Sequence, residues 1–95
     1  MTMTDTFKQF QLRGNLERMV HHRLTEQELN ESLSHYFGQE IKVEQGQYDE
    51  DWQGDDYYTF SVDEGELSGY FDIYYINMPN KKGYFYITEV NVYFE

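Results

Sequence analysis

The chain lacks cysteine, has a single proline, and contains no basic residue between Lys42 and Lys81. Without cysteine it can form no disulfide, carry out no thiol catalysis and build no thiolate metal site. Its start, MTMTDTFKQF, lacks the basic and apolar regions of a signal peptide, and no apolar run approaches the roughly 20 residues that cross a bilayer. We therefore expect a cytoplasmic protein with no membrane association.

The stretch 43–80, which lacks bases, is rich in acids and aromatic residues. Its 38 residues hold nine aromatic side chains and ten carboxylates: Glu44, Asp49, Glu50, Asp51, Asp55, Asp56, Asp63, Glu64, Glu66 and Asp72. Surfaces normally intersperse both signs of charge, because a field of one sign destabilises the compact state. The formal net charge of −11 disfavours direct binding to nucleic acid. We expect the partner to be a basic protein surface.

Length and periodicity predict one α+β domain over 1–95, with a helical part at 1–38 and an acidic antiparallel sheet at 39–95. Apolar residues at spacings of three and four predict a first helix that includes Phe7 and Phe10 and extends to Leu24, with Gly14 as a point where the helix either breaks or begins. A capping box of Thr25 and Glu28 then begins a second helix. From 41 onward the period is two, which predicts a four-stranded meander with both helices on one face.

The alternation also assigns side chains to the two faces of this sheet. One set should face the helices: Tyr58, Phe60, Val62, Phe71, Ile73, Val90 and Val92. The opposite face should then show tyrosines and acids: Tyr57, Tyr70, Tyr74, Tyr93, Asp72 and Glu89. Tyrosine offers a large contact area at low entropic cost and is enriched in protein interfaces. The pattern predicts a binding face.

Metal and catalytic sites are weakly supported. The segment 49–54 matches a calcium loop at three positions but places Phe60 where that loop requires a bidentate Glu. No Ser/His/Asp set, phosphate loop or HExxH motif is present, and the adjacent His21 and His22 would point about 100° apart on a helix. We predict no metal, no cofactor and no enzymatic activity. The alternative to a binding role is that the acidic stretch 43–80 is only a solvated surface.

Extended acidic strands can imitate nucleic acid, because a strand advances about 3.3 Å per residue and DNA presents a phosphate about every 3.4 Å along each strand. In composition and in the acidic stretch 49–66, this small cysteine-free chain resembles the anti-CRISPR and anti-restriction inhibitors of phages and plasmids. Several of those proteins are nucleic-acid mimics. The chain is similar, by the same criteria, to the immunity proteins that neutralise bacterial toxins.

The resemblance implies an inhibitor that occupies a basic, nucleic-acid-binding surface of a bacterial defence nuclease complex, in the cytoplasm of the host. The alternatives are an immunity protein against a basic toxin, a small accessory binding module, or a homodimer formed through the last strand. Trp52 is either an interface anchor or a core residue. The predicted partner-binding residues are Asp49, Glu50, Asp51, Trp52, Asp55, Asp56, Tyr57, Asp63, Glu64 and Glu66.

Overall fold

The computed structural model describes residues 6–47, 54–63 and 65–95, and within them it shows two helices and one antiparallel sheet. The helices are α1 (Phe7–Glu17) and α2 (Glu26–Phe37), and the strands are β1 (Arg23–Thr25), β2 (Glu44–Gln45), β3 (Asp56–Val62), β4 (Gly69–Asn77) and β5 (Tyr84–Phe94). The strand order is β1-β5-β4-β3-β2, with every pair antiparallel. The α+β class is confirmed, but the sheet has five strands where four were predicted.

The additional strand is β1, which lies between the two helices. Its residues were assigned by sequence to the first helix, because Leu24 continues the apolar spacing of that helix. The chain instead leaves the helix after residue 17 and turns at His21, whose φ of 78° is left-handed. Leu24 then pairs with Phe85 of β5 and packs against the core. Burial beside a neighbouring strand therefore outweighed the local helical pattern.

The first predicted strand, around 41–44, forms only partly. Ile41 and Val43 are buried as the alternation requires. Their backbone amides, however, donate to side chains of α2: Ile41 to Ser34 Oγ at 2.8 Å and Val43 to Asn30 Oδ1 at 2.9 Å. Because these N–H groups are satisfied by the helix, the ladder with β3 is limited to the two residues of β2.

The capping box that was predicted to begin the second helix is present. The Thr25 hydroxyl accepts a hydrogen bond from the Glu28 amide at 3.2 Å, and the Glu28 carboxylate accepts one from the Thr25 amide at 3.1 Å. The helix ends at Gly38, which adopts a left-handed φ of 69°. These local signals gave the bounds of α2 correctly because caps depend on neighbours in sequence alone.

The core lies between the two helices and one face of the sheet. Leu16, Leu29, Leu33, Phe71 and Ile73 are fully buried there. The ring of Phe37 on α2 packs edge-on against Phe71 of β4, with centroids 5.1 Å apart. This places α2 over the middle of the sheet, while α1 packs against β5. Both helices therefore cover the same face, as predicted, and the described elements leave the opposite face uncovered.

Candidate protein-binding face

The sheet face opposite the helices, here called the outer face, is the candidate site. The strand registers and the alternation of burial give its members. On β2 to β4 they are Glu44, Tyr57, Thr59, Ser61, Tyr70, Asp72, Tyr74 and Ile76; on β1 and β5 they are Arg23, Thr25, Tyr84, Tyr86, Thr88, Glu89, Asn91 and Tyr93. The tyrosine and acid set that the alternation predicted is among them.

The outer-face tyrosines are paired across neighbouring strands. Tyr70 and Tyr93 lie opposite each other and stack with ring centroids 4.8 Å apart, and Tyr57 stacks on Tyr74 at 5.1 Å. Tyr70 and Tyr93 still expose 52% and 43% of their surface. Stacking of this kind limits the rotamers of each ring before any partner arrives, so a partner would meet aromatic groups that are already ordered.

Carboxylates of the outer face lie on the edge strand β2 and on the inner strands β4 and β5. Glu44, Thr59 and Asp72 follow one another across β2, β3 and β4, and Glu89 lies beside Tyr74 in the next row. The bases stand at the margins, and one of them, Lys42, lines the same pocket as Glu44, Thr59 and Tyr70 beside the edge strand β2. Arg23 is on the short strand β1, and Lys81 places its ammonium 3.9 Å from the centroid of the Tyr84 ring, at one end of the sheet. Asp72 and Glu89 therefore make the middle of this face negative, whereas Glu44 at the β2 edge has Lys42 beside it.

Tyr74 lies beside Asp72 in this negative region. Partial burial, together with the negative charge of Asp72, raises the pKa of the Tyr74 hydroxyl above its ordinary value of 10.0. A tyrosine phenol is protonated at neutral pH, and this one interacts with the side chain of Asn91. A protonated tyrosine beside a carboxylate can donate a hydrogen bond to a partner while the carboxylate attracts that partner's cations.

Tyr57 is held in place by the chain that follows β2. Its hydroxyl donates to the carbonyl of Gln47 at 2.6 Å, and its carbonyl accepts a hydrogen bond from the Gly46 amide at 2.8 Å. Gly46 is buried, and a methyl group built on its Cα would overlap the Tyr57 ring. The ring therefore lies directly against the glycine backbone, a close approach that a larger residue would prevent.

The structure separates the predicted partner-binding residues that it describes. Asp55 and Asp56 are adjacent in sequence but point to opposite faces. The Asp55 carboxylate accepts a hydrogen bond from Thr88 at 2.7 Å on the outer face, whereas Asp56 is opposite Tyr75 on the helix side. Asp63 and Glu66 are exposed at the other end of β3. The predictions for Asp49, Glu50, Asp51, Trp52 and Glu64 lie outside the described residues.

Some outer-face residues were missed by the sequence reasoning. Glu44 was assigned to a strand but not to the binding site, and Tyr86 was not assigned to a strand at all. The alternation of Tyr84 and Tyr86 with the buried Phe85 and Ile87 is a period-two signal, and it could have extended the last strand backward by five residues. The Tyr86 hydroxyl lies 2.5 Å from Nδ1 of His21, which ties β5 to the turn before β1.

The described residues contain no cluster of three or more His, Asp or Glu side chains arranged to hold a metal ion. In the same ranges neither helix has the length and apolar character needed to cross a membrane. A comparison of the chain with protein-family models, curated proteins and solved structures finds no match.

Proposed function

We propose that this chain is a non-enzymatic inhibitor whose outer face binds a basic, nucleic-acid-binding surface of a bacterial defence nuclease complex. The observation that carries the proposal is the sheet face that the described elements leave uncovered, with Asp72 and Glu89 on its inner strands, stacked tyrosines around them, and the bases Arg23, Lys42 and Lys81 along its margins. A negatively charged surface attracts a positively charged one and repels other negatively charged surfaces.

The dimensions of the acidic surface suit a site that normally holds nucleic acid. Asp55 and Asp63 flank the seven residues of β3, so their Cα atoms are roughly 25 Å apart, the rise of about seven base pairs. Glu44 and Asp72 lie between these two ends, since both are in register with Thr59. A basic groove that contacts phosphates over this distance would meet carboxylates instead.

The tyrosines supply binding affinity that charge pairs alone cannot provide. Charge pairs at the rim of an interface mainly accelerate association, whereas desolvated aromatic groups near its centre supply most of the affinity. Tyr70 and Tyr93 are the most exposed aromatic pair of the outer face. In this proposal they are the anchors, and the carboxylates set the orientation and the rate of capture.

The proposal is tested by displacement of labelled duplex DNA from a panel of CRISPR effector complexes and restriction endonucleases. We expect the chain to displace DNA from at least one of them, with a potency that falls steeply as salt increases. Reversing two exposed outer-face acids, Glu44→Lys with Glu89→Lys, should cost about 2 kcal/mol, or roughly a 30-fold loss of potency, because attraction at two sites becomes repulsion.

A matched control has the same change in charge on the opposite side of the molecule. Glu26→Lys with Glu31→Lys reverses two exposed acids of α2 and should leave displacement within about threefold of the wild type, the effect of net charge alone. Equal losses in both double variants would mean that only net charge matters. Failure to displace DNA from any complex would contradict the proposal.

A further inference from the structure

The strand β5 is paired along only part of its second side. Its first three residues pair with β1, and Ile87 then exchanges hydrogen bonds with the turn before β1: the His21 amide donates to the Ile87 carbonyl at 2.8 Å, and the Ile87 amide donates to the His22 carbonyl at 3.1 Å. Beyond Ile87, no backbone group of the described residues pairs with this side of β5. Among the described residues, the remainder of the strand, to Phe94, is therefore an open edge.

The polar groups of this edge can be assigned from the ladder with β4. The amide of Glu95 donates to the Ser68 carbonyl at 3.0 Å, on the β4 side. Because backbone groups alternate in direction along a strand, those of Val90 and Val92 point away from β4, toward the open side. Such a row of available N–H and C=O groups is a template for another strand.

The helix beside this edge has an exposed apolar surface of its own. Phe7 and Phe10 of α1 expose 74% and 69% of their surface, more than any other large apolar residue described. Gly14 lies one turn further along the same helix face, and apart from the helix's own backbone no atom of the described residues lies within 4 Å of the position of a Cβ on it. The guanidinium of Arg13 lies 5.4 Å from the centroid of the Phe94 ring, which places α1 against the end of β5.

Charge selects the occupant of this surface. A molecule with a formal charge of −11 repels its own copies over most of its surface. The segment from Phe7 to Arg18 is different, because it carries Lys8, Arg13 and Arg18 against the single acid Glu17. Within β5, Glu89 is the only acid. Taken together, α1 and β5 are nearly balanced in charge, so two copies repel each other less along this edge than over the acidic remainder of the surface.

We propose that this chain forms a two-fold symmetric dimer through the open edge of β5, with the exposed faces of the two α1 helices flanking the strand pair. A two-fold axis at Asn91 places Val90 opposite Val92 of the second copy and Glu89 opposite its Tyr93. In this register no carboxylate lies opposite another, and the pairing is self-complementary, as an isologous interface requires.

The dimer joins the two sheets into one and places both outer faces on the same side of it. Asn91 lies on the outer face of each copy, and in this register it is opposite Asn91 of the second copy. Side chains of directly opposite residues point to the same face of a sheet, so the two outer faces lie on the same side. This inference concerns a surface other than the one proposed for the basic partner, and it stands whether or not that partner is a nuclease.

A single introduced cysteine tests the register, because the natural chain has none. In the proposed pairing the two copies of residue 91 form a non-hydrogen-bonded pair, with Cα atoms about 4.5 Å apart, within the range that a disulfide spans. We expect Asn91→Cys to give a covalent dimer under mild oxidation. Ser61→Cys, an exposed outer-face position on β3, should give no covalent dimer. Equal cross-linking of both variants, or of neither, would overturn the proposal.

Sedimentation equilibrium of the full chain over a range of concentrations tests the association itself. We expect a monomer–dimer equilibrium in the wild type, and a dissociation constant raised about tenfold or more by Phe10→Lys, which places a charge beside the α1 helix of the second copy. Ile76→Lys adds the same charge at another exposed apolar residue, away from β5's open edge, and should leave the constant unchanged.

Each contrary result is informative. A monomeric mass at every concentration would refute the dimer outright. Loss of the dimer in Ile76→Lys, with retention in Phe10→Lys, would assign the contact to the outer face and overturn the edge pairing. Circular dichroism spectra and urea midpoints of both variants should match those of the wild type, because both side chains are exposed.

Discussion

The close approach of Tyr57 to Gly46 allows a substitution one methyl group in size to disturb the outer face. In Gly46→Ala the new Cβ would occupy the space of the Tyr57 ring. The backbone cannot easily withdraw, because the Gly46 amide is hydrogen-bonded to the Tyr57 carbonyl at 2.8 Å. We therefore expect the ring to leave its position.

The cost can be worked out from the contacts that Tyr57 would lose. Its hydroxyl bond to the Gln47 carbonyl at 2.6 Å is worth about 1 kcal/mol. Its stacking on Tyr74, with centroids 5.1 Å apart, is worth about 0.5–1.5 kcal/mol. The sum, about 2 kcal/mol, agrees with the usual cost of about 1–3 kcal/mol for overpacking. For a domain of this size we expect the melting temperature to fall by roughly 10 °C.

Urea and thermal unfolding, followed by circular dichroism, would measure this change. Gly14→Ala is the matched control, since apart from the helix's own backbone a methyl group there meets no atom of the described residues within 4 Å, and the glycine lies inside α1. Alanine should stabilise that helix by about 0.5–1 kcal/mol. The same chemical change should thus have opposite signs at the two glycines.

A double-mutant cycle identifies the cause. In a Tyr57→Ala background the ring is absent, so Gly46→Ala should cost less than about 0.5 kcal/mol. If Gly46→Ala is as destabilising without the ring as with it, or if it leaves the stability of the otherwise natural chain unchanged, the packing of Tyr57 on Gly46 does not explain why a glycine stands there.

Two further predictions concern the fold. Thr25→Ala removes the capping box of α2 and should cost about 1 kcal/mol, visible as a lower urea midpoint; an unchanged midpoint would contradict the role assigned to the cap. Burial and the neighbouring Tyr75 raise the pKa of the Tyr58 hydroxyl well above 10.0, so the unfolded chain loses this proton first. Stability is therefore retained below pH 10 and lost as the pH rises above it. Tyr58→Phe should make urea midpoints between pH 9 and 11 fall less steeply than Tyr70→Phe does, and equal slopes would count against this linkage.

Sequence patterns were most informative where the determining contacts are local or strictly periodic. The bounds of α2 follow from Thr25, Glu28 and Gly38, all within a turn of the helix ends. The two faces of β3 and β4 follow from alternation, because a residue of one face can appear on the other only if the register slips by one. The predicted tyrosine face was therefore correct on these strands.

Patterns failed where distant residues competed for the same segment. Phe7 and Phe10 fit the apolar spacing of α1, yet they lie on the far side of the helix from Leu12 and Leu16, which are buried. A helix has more apolar positions than its core can accept, and the docking of α1 on β5 decides which of them are buried. That docking is not encoded in the spacing.

By itself the sequence determined the acidic stretch, the helix caps and the alternation of the strands, since each depends on residue identity and near neighbours. Only the tertiary structure decided how the acids are grouped. It placed Asp55 and Asp56 on opposite faces, brought Glu44 and Asp72 into one row, and left the edge of β5 open beside a basic helix. These features depend on which strands pair and where the helices dock, and long-range burial of apolar surface determines both.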